Sequence, residues 1–217
     1  SELLPLLTSW GVSASNIMML YSLYLDFDTF YPQNREQDFD AIFCGRLSHN
    51  KGPFLFLDGL ARARKKLGDL RALMIGQGPL DVKISKRAAN LGLSDTIEFK
   101  DWIATPQELS KLYCRSRCLV CTSLSEGGPR VVAEALACGV PVITTRVGLA
   151  GELIQDSVNG FQIDWSAQEM ADRLIQIRSD RKLQVRLGKA GPESVRRFEK
   201  SRVIREYAHA YHKLATR

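Results

Sequence analysis

The chain has 217 residues, of which 45% are hydrophobic and 25% are charged, a composition typical of a globular protein with a buried core. That length allows one large domain or two small ones, and no apolar run approaches the ~18 residues that would predict a membrane-spanning helix. The formal net charge of +6 favours an anionic partner, such as a phosphorylated ligand, an anionic lipid surface or nucleic acid.

Apolar segments typical of strands alternate with segments typical of helices. The predicted strands are NIMMLYS (16–22), DAIFCG (40–45), RALMIG (71–76), TIEFKDW (96–102), CLVCTS (118–123), VPVITT (140–145) and the short NGFQID (159–164). The predicted helices are residues 53–68, 80–92, 105–116, 129–138, 167–179, 181–198 and 201–216. Nearly all-apolar strands separated by helices indicate a parallel sheet that is covered on both faces. The predicted fold class is therefore α/β, a Rossmann-like parallel sheet with helices on both faces.

Local signals predict where two of these helices begin. Thr105, with Glu108 three residues later, forms a capping-box pattern in which the threonine caps the helix. Gly128 is predicted to cap the helix whose first residue is Pro129, because proline suits the first helical position.

Three glycine-containing loops follow three of the predicted strands, and each leads into a helix. They are GRLSHNKG (45–52), GQGP (76–79) and SEGGPR (125–130). In parallel α/β sheets, ligands bind outside the carboxyl ends of the strands, where such loops offer free backbone N–H groups to a phosphate. The spacing matches neither a Walker A loop nor a full dinucleotide fingerprint. The loops therefore predict an anion site of another kind at one edge of the sheet.

The third loop begins a stretch with two acids and an unusually placed cation. Glu126 precedes a predicted helix, Glu134 lies on that helix, and Arg130 lies in its first turn, where the helix dipole disfavours positive charge. A ligand with a central diphosphate and a polyhydroxyl group at each end, such as a nucleotide-sugar, would match this layout. The alternative is that Glu126 is a solvated turn residue and that Arg130 and Glu134 form a surface pair at i,i+4.

The five cysteines predict reduced, buried thiols in a cytoplasmic protein, because their number is odd and their neighbours are apolar. Cys118 and Cys121 have C-x-x-C spacing, which is found in metal and redox sites. They lie, however, in a predicted strand, where residues i and i+3 point to opposite faces. We therefore expect no metal site there.

The motifs together resemble those of the family 4 retaining glycosyltransferases, also described as glycosyl transferases group 1. EGGPRVVAE (126–134) resembles their E-x7-E signature, GRLSHNKG (45–52) their G-R-x-x-x-x-K-G loop, and IGQGP (75–79) their G-x-G-P turn. The segments EALACGVPVITT, GELIQDSVNGFQID and DFDTFYP are also similar to segments of that family. The resemblance covers roughly residues 12–180 and implies the carboxy-terminal, donor-binding half of a GT-B enzyme, which has two Rossmann-like domains facing a cleft.

The resemblance also implies roles for individual residues. Glu126 would be the catalytic residue that contacts the donor sugar, and Glu134 would hold the ribose hydroxyls. The other donor-binding residues implied are Arg46, Lys51, Gly76, Trp102, Ile103, Gly127, Gly128 and Arg130. Among these, Arg46 and Lys51 would hold the diphosphate, and Trp102 and Ile103 would lie near the base. The departing phosphate oxygen would be stabilised electrostatically, so no metal and no cofactor other than the nucleoside-diphosphate sugar is expected.

The implied organisation and partners extend beyond this chain. Residues 1–32 would be the tail of an amino-terminal domain and the crossover from it, residues 33–200 the nucleotide-sugar-binding domain, and residues 201–217 a helix returning to the absent domain. The expected partners are a nucleotide-sugar, a glycan or lipid-linked acceptor and that amino-terminal domain. The expected location is the cytoplasm, with peripheral contact to an anionic membrane as an added expectation.

Two other functions are alternatives to the donor-binding half of a glycosyltransferase. A binding-only module of the same fold would sense a nucleotide-sugar or complete a separate subunit. A nucleic-acid binder would use the basic stretch ARARKKLG (61–68), but that stretch is typical of the solvated face of an amphipathic helix and lacks interleaved aromatic residues. We therefore expect no nucleic-acid partner.

Overall fold

The computed structural model describes residues 3–18, 20 and 23–216. Six strands in this part of the chain form one parallel sheet with the order β3-β2-β1-β4-β5-β6. They are β1 (Ala41–Cys44), β2 (Ala72–Ile75), β3 (Ile97–Lys100), β4 (Leu119–Cys121), β5 (Val142–Thr145) and β6 (Gly160–Ile163). The order reverses between β1 and β4, which creates a topological switch point there.

The helices cover both faces of this sheet. They are α1 (Leu3–Ser9), α2 (Pro53–Leu67), α3 (Asp81–Asn90), α4 (Pro106–Cys114), α5 (Arg130–Ala137), α6 (Gly148–Leu153), α7 (Ala167–Ser179), α8 (Arg181–Ser194) and α9 (Lys200–Ala215). One apolar core lies under α2, α3 and α7, and the other lies under α4, α5 and α6. The predicted α/β class, with a Rossmann-like sheet covered on both faces, is confirmed.

The two cysteines of the C-x-x-C spacing show the strand geometry directly. Cys118 packs in the core under α2 and α7, whereas Cys121 packs in the opposite core with residues of α5. The prediction that they point to opposite faces is confirmed. All five cysteines are free thiols.

Local capping agrees with the sequence at one helix and differs at another. The Thr105 hydroxyl accepts a hydrogen bond from the Glu108 backbone N–H at 3.2 Å, so the predicted cap of α4 is confirmed. At α5 the predicted cap, Gly128, is wrong by one residue, because Pro129 is the cap and the helix begins at Arg130. Pro129 has the φ of a helical residue, but its ψ of 100° is extended, which keeps it outside the helix.

Other predicted elements also differ from the structure. Residues 16–22 were predicted as a strand; Met19, Tyr21 and Ser22 lie outside the described residues, and the described remainder is a 3₁₀ turn followed by irregular chain. The next residues, Leu23 and Leu25, are buried in the core under α4, α5 and α6, whereas Met18 within the predicted strand is exposed. The short helix α6 was not predicted, since six residues are too few to show a helical period.

The segments that flank the sheet show two further features. Backbone hydrogen bonds join Leu25 to Phe198 and Lys200, so the segment before the sheet lies beside the start of α9. The predicted helix 181–198 is divided: α8 ends at Ser194, two residues after Pro192, and a 3₁₀ turn follows. Over the ranges that the structure describes, no helix combines the length and apolarity needed to cross a membrane.

Candidate functional site

The glycine loops after β1, β2 and β4 lie together at the carboxyl edge of the sheet, as predicted. The first two pack against each other through their backbones. Gly76 has a φ of +146°, and a Cβ added there would lie 1.9 Å from the Gly45 carbonyl oxygen. The structure thus gives Gly76 a packing role beside the first loop and does not place it in the lining of the cavity described next.

A cavity of about 330 Å³ opens at the switch point between β1 and β4. Five of the residues predicted to bind or transform a ligand line it: Arg46, Lys51, Glu126, Gly128 and Arg130. The rest of the lining includes Cys44, Thr122, Ser123 and Pro129. The first and third loops, which are about 75 residues apart in the chain, therefore form one site.

Lys51 and Glu126 form an ion pair across this cavity. Glu126 Oε1 also accepts a hydrogen bond from the Ser123 hydroxyl at 2.8 Å. The pair is partly shielded from water, with 27% of the Lys51 side chain and 12% of the Glu126 side chain exposed. The sequence predicted both residues at the site but not their contact, and Ser123 was not predicted.

The position of Lys51 depends on the glycine that follows it. Gly52 has a φ of +63°, in the left-handed region, and a Cβ there would lie 1.9 Å from the Thr122 carbonyl oxygen. The Thr122 hydroxyl donates a hydrogen bond to the Gly52 carbonyl at 2.9 Å. This close contact holds the first loop, and with it Lys51, against the end of β4.

The other two cations of the cavity are exposed. Arg46 has no side-chain hydrogen bond or ion pair with any residue in the described ranges. The Arg130 guanidinium lies 5.1 Å from the centre of the Tyr24 ring, a cation–π contact, and does not form the surface pair with Glu134 that was the alternative interpretation.

The amino-terminal end of α5 also points toward the cavity. Pro129 has no side-chain oxygen to cap the helix, so no side chain of the described residues caps the first N–H groups of α5. Together with Arg46, Lys51 and the helix dipole, these groups make the site suited to an anion.

Glu134 lies outside the cavity lining, in the protein interior. It is buried, and one carboxylate oxygen accepts a hydrogen bond from the Tyr113 hydroxyl at 3.1 Å. Burial raises the pKa of the Glu134 carboxyl above its ordinary value of 4.5, and the hydrogen bond from Tyr113 and the charge of Arg130 offset this only in part. Sequence reasoning missed Tyr113, because no spacing connects it to the acid 21 residues later.

The remaining predicted residues are not gathered at this cavity. Gly127 is not part of its lining, and no atom lies within 4 Å of a Cβ built on it. Trp102 and Ile103 line a second cavity of about 650 Å³ after β3, where Trp102 is 80% exposed. The two cavities share no lining residue, since β2 separates β3 from β1.

The family described as "Glycosyl transferases group 1" matches residues 26–194 of the chain. The chain belongs to this family. The match includes every predicted site residue from Arg46 to Glu134, and the resemblance inferred from the motifs is confirmed. Among curated relatives of this group 1 glycosyltransferase chain, the putative glycosyltransferase EpsD of Bacillus subtilis (strain 168) is 29% identical over 178 residues. Those residues are 82% of this chain but only 46% of EpsD, so the chain spans less than half of that relative.

Solved structures of glycosyltransferases share the fold of this group 1 chain. The C-terminal domain of the group 1 family protein LpcC from Francisella tularensis is 27% identical, with a TM-score of 0.73, over 81% of this chain and 99% of that domain. The pneumococcal O-GlcNAc transferase GtfA is 20% identical, with a TM-score of 0.86, over 99% of this chain and 43% of that protein. The predicted architecture, that of the carboxy-terminal half of a GT-B enzyme, is confirmed at the level of fold.

Proposed function

We propose that this chain is the donor-binding domain of a retaining glycosyltransferase that transfers a sugar from a nucleoside-diphosphate sugar to a glycan or lipid-linked acceptor. The observation that carries the proposal is the cavity at the switch point. It combines Arg46, Lys51 and the amino-terminal end of α5 with one acid, Glu126. Group 1 family membership and the name of EpsD support the reaction class.

The cations of the cavity would bind the donor diphosphate. Arg46 is exposed and has no carboxylate partner in the described part of the chain, so its full charge is available to a phosphate. Lys51 is neutralised by Glu126 in the structure, so a diphosphate competes with Glu126 for it. These groups would also stabilise the negative charge that develops on the departing phosphate, so the proposed reaction needs no metal ion and no further cofactor.

Glu126 would act on the sugar. Its carboxylate is fixed from one side by Ser123, and exchange of Lys51 to the phosphate frees acceptor capacity at its oxygens for sugar hydroxyls. Glu126 thereby orients the anomeric carbon toward the acceptor, while the cationic groups draw charge from the breaking bond. Retention of the anomeric configuration is part of this proposal and is drawn from the family resemblance.

The organisation of the whole protein is also a proposal. We place the tail and crossover at residues 1–32, the binding domain at 33–200, and a helix that returns to an amino-terminal domain at 201–217. The pairing of Leu25 with the start of α9 supports a common exit point for the two flanking segments. Trp102 and Ile103 would contact the base, Gly76 would support the loop, and Gly127 and Gly128 would approach the phosphates. The proposed location is the cytoplasm, with peripheral membrane contact.

Calorimetry with nucleoside diphosphates tests the donor site. UDP is the first probe, because the GtfA crystal structure contains UDP and GlcNAc. Changing both Arg46 and Lys51 to Ala should weaken UDP binding by about 100-fold or more, since each charged hydrogen bond contributes about 1.5–3 kcal/mol. The matched control is Lys182→Ala on the exposed face of α8. Equal UDP affinity in the folded double variant and the control would contradict the proposal.

An assay of sugar transfer separates the enzyme from a binding-only module. Transfer needs donor and acceptor held together in a site that excludes water, and this chain supplies one wall of it. We expect the chain alone to bind the donor and transfer nothing, and a protein that also contains an amino-terminal domain to transfer the sugar. A two-domain protein that binds the donor and never transfers it would favour the binding-only module. Efficient transfer by this chain alone would show that its site is already complete.

A further inference from the structure

A cluster of polar groups adjoins the cavity within the apolar core. Tyr113, on α4, is fully buried, and its hydroxyl donates a hydrogen bond to Glu134 Oε2 at 3.1 Å. Cys44, the last residue of β1, lines the cavity and lies close enough to the Tyr113 hydroxyl to affect its ionisation. The cluster therefore connects the wall of the cavity to the buried acid of α5.

The two oxygens of the Glu134 carboxylate differ. Oε2 accepts the hydrogen bond from Tyr113, whereas Oε1 accepts none from the described residues. Oε1 nevertheless keeps some contact with solvent. In the described ranges, the only fully buried side-chain N or O atom without a hydrogen bond is Nε of Arg178, which forms an ion pair with Asp40. One oxygen is thus fixed from inside the protein, and the other is left accessible as an acceptor.

A carboxylate in this position is costly. Burying a charged group without an opposite charge in contact destabilises a fold, and an apolar side chain of similar size would cost less. The groups that face Glu134 are Tyr113 from α4, Cys44 from β1, and Arg130 and Cys138 on either side of it in the chain. Tyr113 is the one that donates a hydrogen bond to it. Its hydroxyl is therefore the group that fixes the orientation of the acid.

We propose that Tyr113 is a positioning residue: its hydroxyl holds the Glu134 carboxylate so that Oε1 accepts hydrogen bonds from the ribose hydroxyls of the nucleotide. This inference rests on the proposed function, because it takes the ligand to be a nucleotide whose ribose reaches Glu134. Tyr113 itself does not touch the ligand. Without its hydroxyl, the carboxylate is free to turn toward Arg130 or to take up a proton, and either change removes the oriented acceptor.

The test compares UDP with 2′,3′-dideoxy-UDP by calorimetry, using the 217-residue chain. If ADP or GDP binds more tightly than UDP, the corresponding pair replaces it. Wild type should bind UDP about tenfold or more tightly than 2′,3′-dideoxy-UDP, because the dideoxy compound lacks the hydrogen bonds from the ribose hydroxyls to a charged group. Tyr113→Phe should lower this ratio several-fold, toward that of Glu134→Gln. Tyr211→Phe, at an exposed tyrosine of α9, should leave the ratio unchanged.

A pH series adds a readout that a purely structural role would not change. A protonated carboxyl loses acceptor capacity, so the ribose preference should fall as the pH is lowered. Because the Tyr113 hydrogen bond lowers the pKa of Glu134, this fall should occur at higher pH in Tyr113→Phe than in wild type. An unchanged midpoint in the folded variant would overturn the proposal.

The outcomes separate this inference from the proposed function. Failure of wild type to bind any nucleoside diphosphate would refute the donor site as a whole. Binding without ribose preference would refute the role of Glu134 alone, and an unchanged ratio in Tyr113→Phe would refute positioning alone. If Tyr113→Phe does not fold, the double variant Tyr113→Phe/Glu134→Gln, which leaves no unpaired carboxylate buried, is compared with Glu134→Gln alone. If the two variants have equal ratios of UDP affinity to dideoxy-UDP affinity, Tyr113 acts through Glu134. A lower ratio in the double variant than in Glu134→Gln would overturn the proposal.

Discussion

The ion pair between Lys51 and Glu126 leads to an unusual expectation for Glu126→Gln. In the structure the acid neutralises Lys51, which we propose binds the diphosphate, so removing the charge of Glu126 should free Lys51. Binding of the bare nucleoside diphosphate should therefore become tighter. Binding of the nucleotide-sugar should not gain in the same way, because the sugar loses its carboxylate acceptor. Glu126→Gln should thus raise the affinity for the bare nucleoside diphosphate relative to the affinity for the nucleotide-sugar.

The magnitude follows from the exposure of the pair. Exposed ion pairs contribute roughly 0.2–1 kcal/mol, and this pair is more shielded than most, with 12% of Glu126 exposed. Competition with Glu126 should therefore cost the diphosphate about 1 kcal/mol, which is about fivefold in affinity. Glutamine keeps an oxygen that accepts the hydrogen bond from Ser123, so the loop should hold its conformation.

Calorimetry with UDP and a panel of UDP-sugars measures both effects in one preparation. The matched control is Glu193→Gln, which removes an exposed acid on α8 and changes the net charge equally. Equal weakening of UDP binding and of binding of the preferred UDP-sugar in Glu126→Gln would refute competition between Glu126 and the diphosphate. Repeating the UDP titration at high salt should reduce the gain, since salt screens the partly exposed pair.

Two further predictions concern stability. Gly52→Ala should lower the free energy of unfolding measured with denaturant and also weaken UDP binding, because a Cβ would collide with the Thr122 carbonyl and displace Lys51. Gly68→Ala is the control for the backbone cost, because Gly68 also has a positive φ but has open space around it. For Glu134, the raised folded-state pKa means that the native state holds the proton to higher pH than the unfolded chain does, so stability should fall as the pH rises above about 4.5. Glu134→Gln should remove that part of the pH dependence in denaturant titrations at several pH values, and an unchanged slope would contradict it.

Much of the architecture could be predicted because its signals are local. Most strands of the sheet are short apolar runs, and the cap at Thr105 depends on residues three apart. The strand predicted at residues 16–22 shows the limit of this reasoning. The described part of that apolar run is irregular and Met18 in it is exposed, so an apolar run by itself establishes neither burial nor pairing with another strand.

The site was predictable to the extent that it follows from strand ends. Arg46, Lys51 and Glu126 come from loops after β1 and β4, and the sheet topology brings these loops together. The contact of Lys51 with Glu126 joins residues 75 positions apart and depends on side-chain directions that no spacing encodes. The hydrogen bond from Tyr113 to Glu134 arises in the same way, from the packing of α4 against α5.

The contact between Gly76 and Gly45 affects how a mutational scan of this domain would be interpreted. A side chain at Gly76 would push on the loop that carries Arg46, so its effect would reach the ligand although Gly76 does not line the cavity. A scan scored by binding alone would count Gly76 as a contact. Gly127, by contrast, has open space for a methyl group, so sensitivity there would report the ligand's own atoms. Of these two glycines, only Gly127 would reveal by its sensitivity where the ligand lies.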